Sequence, residues 1–254
     1  MNVVVNGLMT NYQKVGKGKT VVLLHGWGDT GKTFSKLIEN LQDKYSFLIL
    51  DLPGFGGTQP PENAWGLEDY VDFIHDWLKK IDSGDIYAYG GHSYGGAVEI
   101  YGLGAGKLTA QKLFLLASAG IRDKKTFRKR TLKATAKVAK LPLYLLPSYQ
   151  RKKIKNRLYR TLGSDITLLP HMELTFKRII GEDILTRAKD IKIPTLLIYG
   201  DKDKDTPAAD GRILRGAIAG SKLEIIPGAG HFLHQEQAEQ VGKLVADFLE
   251  TKNA

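Results

Sequence analysis

Short runs of consecutive apolar residues alternate along this chain with stretches in which apolar residues recur every three or four positions. Residues 2–5, 9–15, 20–24, 47–50, 86–89, 112–117, 195–199 and 223–226 read as strands. Runs such as Val21-Val22-Leu23-Leu24 lack polar alternation, as a strand covered on both faces requires. The first two strands are short and flanked by polar residues, which predicts an antiparallel edge hairpin. Helical spacing fits residues 32–41, 67–81, 94–103, 208–215 and 235–249. Strand and helix taking turns predicts an α/β fold, with a mostly parallel eight-stranded sheet and helices on both faces.

One interval breaks the alternation. Residues 121–189 hold no convincing strand and are punctuated by Pro142, Pro147, Gly163 and Pro170. Such a length is too great for a bare loop in a compact domain, so it reads as an inserted helical cap between core segments 1–120 and 190–254. Phe127, Thr131, Ala134, Val138, Leu141 and Leu145 recur at steps of three or four and give the insertion one weakly apolar face. A second basic run, Arg151-Lys152-Lys153-Ile154-Lys155-Asn156-Arg157, follows.

Charge sharpens this division. The net charge is +10, yet residues 121–160 alone carry 15 Lys and Arg against one acid, Asp123. The basicity therefore belongs to the insertion, and the rest of the chain is slightly acidic. A solvated outer face explains such a run, and weak attraction to anionic surfaces or acidic substrates is the functional alternative. Specific nucleic-acid binding is not expected, since no aromatic-interleaved groove or reader motif accompanies the charge. Composition adds exclusions: 254 residues at 43% hydrophobic fit a soluble globular protein. With no cysteine, disulfides, thiolate metal sites and a cysteine nucleophile are ruled out. The N-terminus does not read as a signal peptide, and no apolar run approaches the roughly 20 residues of a membrane span. A cytoplasmic location is the expectation.

The strongest chemical signal is Gly91-His92-Ser93-Tyr94-Gly95-Gly96, placed directly between a predicted strand and a predicted helix. This is the G-x-S-x-G elbow, a sharp turn that lifts a serine hydroxyl above the sheet edge. Side chains at 91 and 95 would strike neighbouring backbone, and glycine at 96 lets the helix pack closely. A glycine-rich turn with an incidental serine is the bland alternative.

The elbow, together with Leu24-His25-Gly26-Trp27-Gly28, Asp51-Leu52-Pro53-Gly54-Phe55-Gly56 and Gly228-Ala229-Gly230-His231, resembles the α/β-hydrolase superfamily. Within it, the chain is most similar to the small capped serine hydrolases: carboxylesterases, meta-cleavage-product hydrolases and cofactor-free haloperoxidase-like esterases. The resemblance covers residues near 1–120 and 190–254 and hardly touches the insertion. It implies the α/β-hydrolase fold, Ser93 as nucleophile and, on the late loop, His231 as base. His234, three residues on, is the local rival and suits capping or packing better. The acid belongs after the strand at 195–199, where Asp201, Asp203 and Asp205 compete. The family spacing, three after Gly200 and four before Pro207, selects Asp203. The resemblance also implies an oxyanion hole from the backbone N–H groups of Trp27 and Tyr94. His25 and Asp51 read as loop-stabilising residues.

The function this implies is hydrolysis of short- to medium-chain carboxylic esters or lactones, without metal or organic cofactor. A serine at the elbow argues against dehalogenase and epoxide-hydrolase chemistry, for which the family uses an aspartate. Hydrolysis of a carbon–carbon bond in meta-cleavage products is the alternative enzyme, and a ligand receptor that keeps the same residues with slow turnover is the alternative outside enzymes.

Overall fold

The computed structural model describes residues 1–39, 41–121 and 170–251. Eight strands, β1 (Asn2–Val5), β2 (Leu8–Gly16), β3 (Lys19–Leu24), β4 (Tyr45–Leu50), β5 (Ile86–His92), β6 (Lys112–Leu116), β7 (Thr195–Gly200) and β8 (Lys222–Ile226), form one sheet. Their spatial order is β1-β2-β4-β3-β5-β6-β7-β8. β1 and β2 pair antiparallel, β2 joins β4 antiparallel, and every pairing from β4 to β8 is parallel. The unalternated apolar runs occupy the centre: Val21, Val22, Leu23 and Leu24 of β3 are all fully buried.

Two apolar layers explain that burial. On one face α2 (Leu67–Lys80) and α3 (Tyr94–Gly104) pack with Tyr70, Val71, Ile74, Trp77 and Val98 turned inward. On the other, α1 (Ser35–Ile38) and a long C-terminal helix bring Phe34, Leu37, Val241, Val245 and Phe248 against Val21, Leu23 and Phe114. A fully buried side chain of this kind contributes about 1.5–3 kcal/mol relative to exposure.

Two predicted helices are broken. The one expected over 32–41 begins as a 3-10 turn, Gly31–Phe34, before α1. Gly31 is clamped to the sheet there: its N–H donates to Asp51 Oδ1 at 2.8 Å, and a Cβ would lie 2.7 Å from the Ile49 side chain. The C-terminal helix divides at Gln237 (φ −132°, ψ 50°), whose side chain donates to Pro227 O at 2.9 Å.

Within residues 170–189 the structure shows a 3-10 turn, Pro170–Met172, followed by α4 (Glu173–Ile179) and α5 (Leu185–Ala188). No strand lies among them. They rest on the loop after β4 and the start of α2. Thr175 Oγ1 accepts the Trp65 N–H, Glu182 Oε2 accepts the Leu67 N–H, and Met172 fills the space over Gly54. The apolar stripe from Phe127 to Leu145 and the basic run 151–157 lie outside the described residues. The remaining helices are α6 (Ala208–Ala217), α7 (Leu233–Glu236) and α8 (Ala238–Glu250). Among the described residues no helix is long and apolar enough to cross a membrane.

One buried charge-capable residue was not foreseen. Glu99 of α3 is wholly buried, and among the described residues neither carboxyl oxygen has a hydrogen-bond partner. Burial pushes its carboxyl well above the usual range, so it stays protonated where the unfolded chain ionises. A raised acid stabilises fully only below the unfolded value, and that contribution is lost as pH rises towards the folded value. Each pH unit in that window costs about 1.4 kcal/mol. Denaturant unfolding of the parent and Glu99→Gln at pH 5, 6, 7 and 8 is therefore expected to give curves that diverge, with the variant gaining at higher pH. Parallel curves would contradict a neutral Glu99.

Candidate active site

Four loops meet at the carboxyl ends of the parallel strands, the edge where ligands of open α/β sheets bind. They follow β3, β5, β7 and β8, and carry Trp27, Ser93, Asp203 and His231.

Ser93 joins β5 directly to α3 with φ 50° and ψ −113°, a backbone conformation that L-residues avoid. Its main chain is held from β6: Ser93 N–H donates to Leu116 O at 3.0 Å, and Ala119 N–H donates to Ser93 O at 3.0 Å. The glycines are needed for contact. A Cβ at 91 would come within 2.5 Å of the Gly96 backbone, and one at 95 within 2.1 Å of Leu24 O. Tyr94 opens α3, so its N–H lies in the first helical turn, where amides have no intrahelical acceptor.

The Trp27 loop is a turn closed by Asp29 N–H to Gly26 O at 3.3 Å, with Gly28 at φ 74°. His25 anchors it. Leu52 N–H donates to His25 Nε2 at 3.0 Å, so the proton sits on Nδ1, which donates to Gly26 O at 2.8 Å. Burial pushes His25 below the usual histidine range, against the opposing effects of the Gly26 bond, Asp51 and Asp29. Asp51 braces the next loop by accepting from Gly31 and Gly57 N–H. The Trp27 ring packs edge-on to Phe55 at 4.9 Å and Tyr94 at 5.7 Å, and lies 5.0 Å from Phe176 of α4. Among the described residues, the N–H groups of Trp27 and Tyr94 have no backbone acceptor.

Asp203 and His231 are brought together: Oδ2 and Nδ1 lie 2.8 Å apart. Asp203 is buried, and its Oδ1 accepts the N–H groups of Asp205 at 2.7 Å and Thr206 at 3.0 Å. Burial alone would raise its carboxyl. The bond and charge of His231 and the Thr206 bonds together outweigh that and hold it below the usual range. An ionised carboxylate only accepts, so the His231 proton resides on Nδ1 and the Nε2 lone pair can take a proton. Asp201 instead accepts Gly228 N–H at 2.7 Å and lies 4.0 Å from Lys202. Asp203, Asp205 and His231 are also near enough to share a cation, with ligand atoms within 4.8 Å, but the mutual bond and two amides already engage the first and last of them.

Two participants escaped sequence reading. The Thr206 hydroxyl lies 2.8 Å from Asp203 Oδ2, 2.9 Å from Ala117 O and 3.1 Å from His231 Nδ1, bridging the pair to the end of β6. Its only sequence signal is a hydroxyl three residues after an aspartate, a common turn pattern. His92 donates from Nε2 to the His231 carbonyl at 3.0 Å. His234, the rival base, is fully buried with Nε2 bonded to Thr33 Oγ1 at 2.8 Å, and burial with nearby His231 lowers it to about 3.

Residues 21–244 match the profile of the alpha/beta hydrolase family, and the chain belongs to that family. A 2-hydroxy-6-oxononadienedioate/2-hydroxy-6-oxononatrienedioate hydrolase of Escherichia coli K12 is 28% identical over 95% of this chain and 91% of its own. The enol-lactonase of Burkholderia xenovorans LB400 superposes with a TM-score of 0.77 at 21% identity, covering 99% of this chain and 100% of that one. A thermophilic esterase from Thermogutta terrifontis gives 0.75 at 20% identity, covering 98% of each. At those identities the structural likenesses speak to fold.

Proposed function

We propose that this hydrolase cleaves carboxylic esters or lactones by two-step acyl transfer, with Ser93 as nucleophile, His231 as base and Asp203 as its orienting acid. The observation that carries the reading is the Asp203–His231 bond. That bond supports an Nδ1–H tautomer, in which Nε2 is the nitrogen that accepts a proton from a hydroxyl. In the first step His231 takes the Ser93 proton as the oxygen attacks the carbonyl, and the negative charge settles on the N–H groups of Trp27 and Tyr94. His231 then protonates the leaving alkoxide. Water activated by the same nitrogen releases the acid. The apolar wall of Trp27, Phe55 and Phe176 suits an acyl chain. Residues 121–189 serve in this reading as an inserted cap, whose basic charge is solvated or weakly attracts anionic surfaces.

Cleavage of a carbon–carbon bond in an acidic dienone is the second reading, favoured by the name of the Escherichia coli relative. It calls for a free cation to receive the substrate carboxylate. Of the cations described in residues 170–189, Lys177 pairs with Glu173 at 2.6 Å, Arg178 with Asp69 at 3.3 Å, Arg187 stacks on Tyr101, and Lys189 is exposed.

A panel of p-nitrophenyl esters of rising acyl length, extended to lactones and a meta-cleavage dienone, tests the choice. Ester or lactone turnover exceeding that of the dienone is expected, with the rate falling at acid pH as the base becomes protonated. Preferential dienone cleavage would support the second reading, and tight binding without turnover would support a receptor.

A further inference from the structure

We propose that His92 is a positioning residue, a neutral Nε2–H imidazole that fixes the His231 main chain at a set distance from Ser93. The inference rests on the acyl-transfer reading of the same site and adds the part that spaces nucleophile and base.

A carbonyl oxygen only accepts, so the 3.0 Å contact from His92 Nε2 to His231 O places the proton on Nε2. Nδ1 is then a bare lone pair, and among the described residues it has no hydrogen-bond partner. That nitrogen faces the oxyanion loop closely: a Cβ on Gly26 would lie 2.9 Å from it and 3.3 Å from Ser93 Cβ. One side chain therefore touches three parts of the site. It is one peptide from the nucleophile, bonded to the backbone of the base, and pressed on the residue before Trp27.

The ring is also locked in plane. His92 is 1% exposed, with ring centroids 4.8 Å from His231, 5.2 Å from Phe232 and 4.5 Å from His234. His234 is pinned in turn by Thr33, to which Gln235 also donates at 2.6 Å. Burial, with His234 and His231 adding to it, pushes His92 well below the ordinary histidine range, so it remains an uncharged donor beside a base that becomes positive during turnover. Thr206 holds the His231 ring from the acid side, and His92 holds its backbone from the nucleophile side. Without the second hold the imidazole keeps its acid but loses its distance to the hydroxyl, and misplacement by about 1 Å can cost a hundredfold in rate.

Two variants and one spectrum test this. His92→Phe keeps a flat ring and removes the donor; kcat is expected to fall about 10- to 100-fold, with KM within about threefold. His92→Gln returns an amide N–H near the Nε2 position and is expected to recover most of the loss. Full kcat in a folded His92→Phe would overturn the assignment, as would a Gln variant no better than Phe. If His92→Phe does not fold, the ¹⁵N–¹H spectrum of the parent imidazoles at pH 7 decides. A neutral Nε2–H tautomer for His92 is expected, and a charged ring or an Nδ1–H tautomer would overturn it. Absence of Ser93-dependent turnover in the parent would instead sink the acyl-transfer reading, so the two failures are separable.

Discussion

A Ser93→Ala protein is expected to lose about a million-fold in kcat on its best ester while folding like the parent. In the proposed mechanism the size of the loss follows from how nucleophile and base act as a unit. Once the hydroxyl is gone, His231 and Asp203 have no proton to move. What persists is the binding pocket and the oxyanion donors, worth roughly a thousand- to ten-thousand-fold over water. The same residue stores strain. At φ 50° and ψ −113° a Cβ is unfavourable, by about 1–3 kcal/mol at such positions. Ser93→Gly, equally inactive, is therefore expected to unfold at higher urea than the parent. A glycine variant less stable than the parent would show that the elbow is not strained in the folded chain.

Asp203→Asn is expected to lower kcat by about ten-thousand-fold with little change in size or packing. The carboxamide can donate to His231 Nδ1, which moves the histidine proton to Nε2 and removes the lone pair that Ser93 needs. Here the effect is sharpened by the surroundings. The Asp203 side chain is fully enclosed, and its other oxygen already takes two amide N–H groups, so the carboxamide nitrogen is driven to the histidine side. Steady-state rates at pH 8 check this. A loss below tenfold would move the acid to Asp201 or Asp205.

The sheet was legible because buried parallel strands must be apolar on consecutive residues, and β3 and β7 announce themselves that way. The ends of β5 were less so. Gly90 and Gly91 look like the start of a turn, yet β5 continues to His92, and glycine stands at 90 since a Cβ there would strike the Phe114 ring within 2.1 Å. Glycine there answers crowding across the sheet, which the local sequence does not record. The choice of Asp203 among three alternating aspartates came from the resemblance to the family and its spacing, and Asp203 is the one that bonds His231. His92 and Thr206 were passed over for a common reason. Their partners, His231 O for the first and Ala117 O for the second, lie 139 and 89 residues away and are main-chain atoms, invisible as residue types. Glu99 was hidden differently: in a helix its spacing gives no hint that no partner awaits it.

Whether the acyl group is ever carried on the protein is tested most directly by covalent labelling. Incubation with a fluorophosphonate, followed by proteolysis and mass mapping, should leave one adduct per chain on the peptide holding the elbow serine, and the His231→Ala protein should react far more slowly. An unmodified elbow under conditions that inactivate turnover, or an adduct on any other side chain, would contradict a serine that attacks carbonyl carbon.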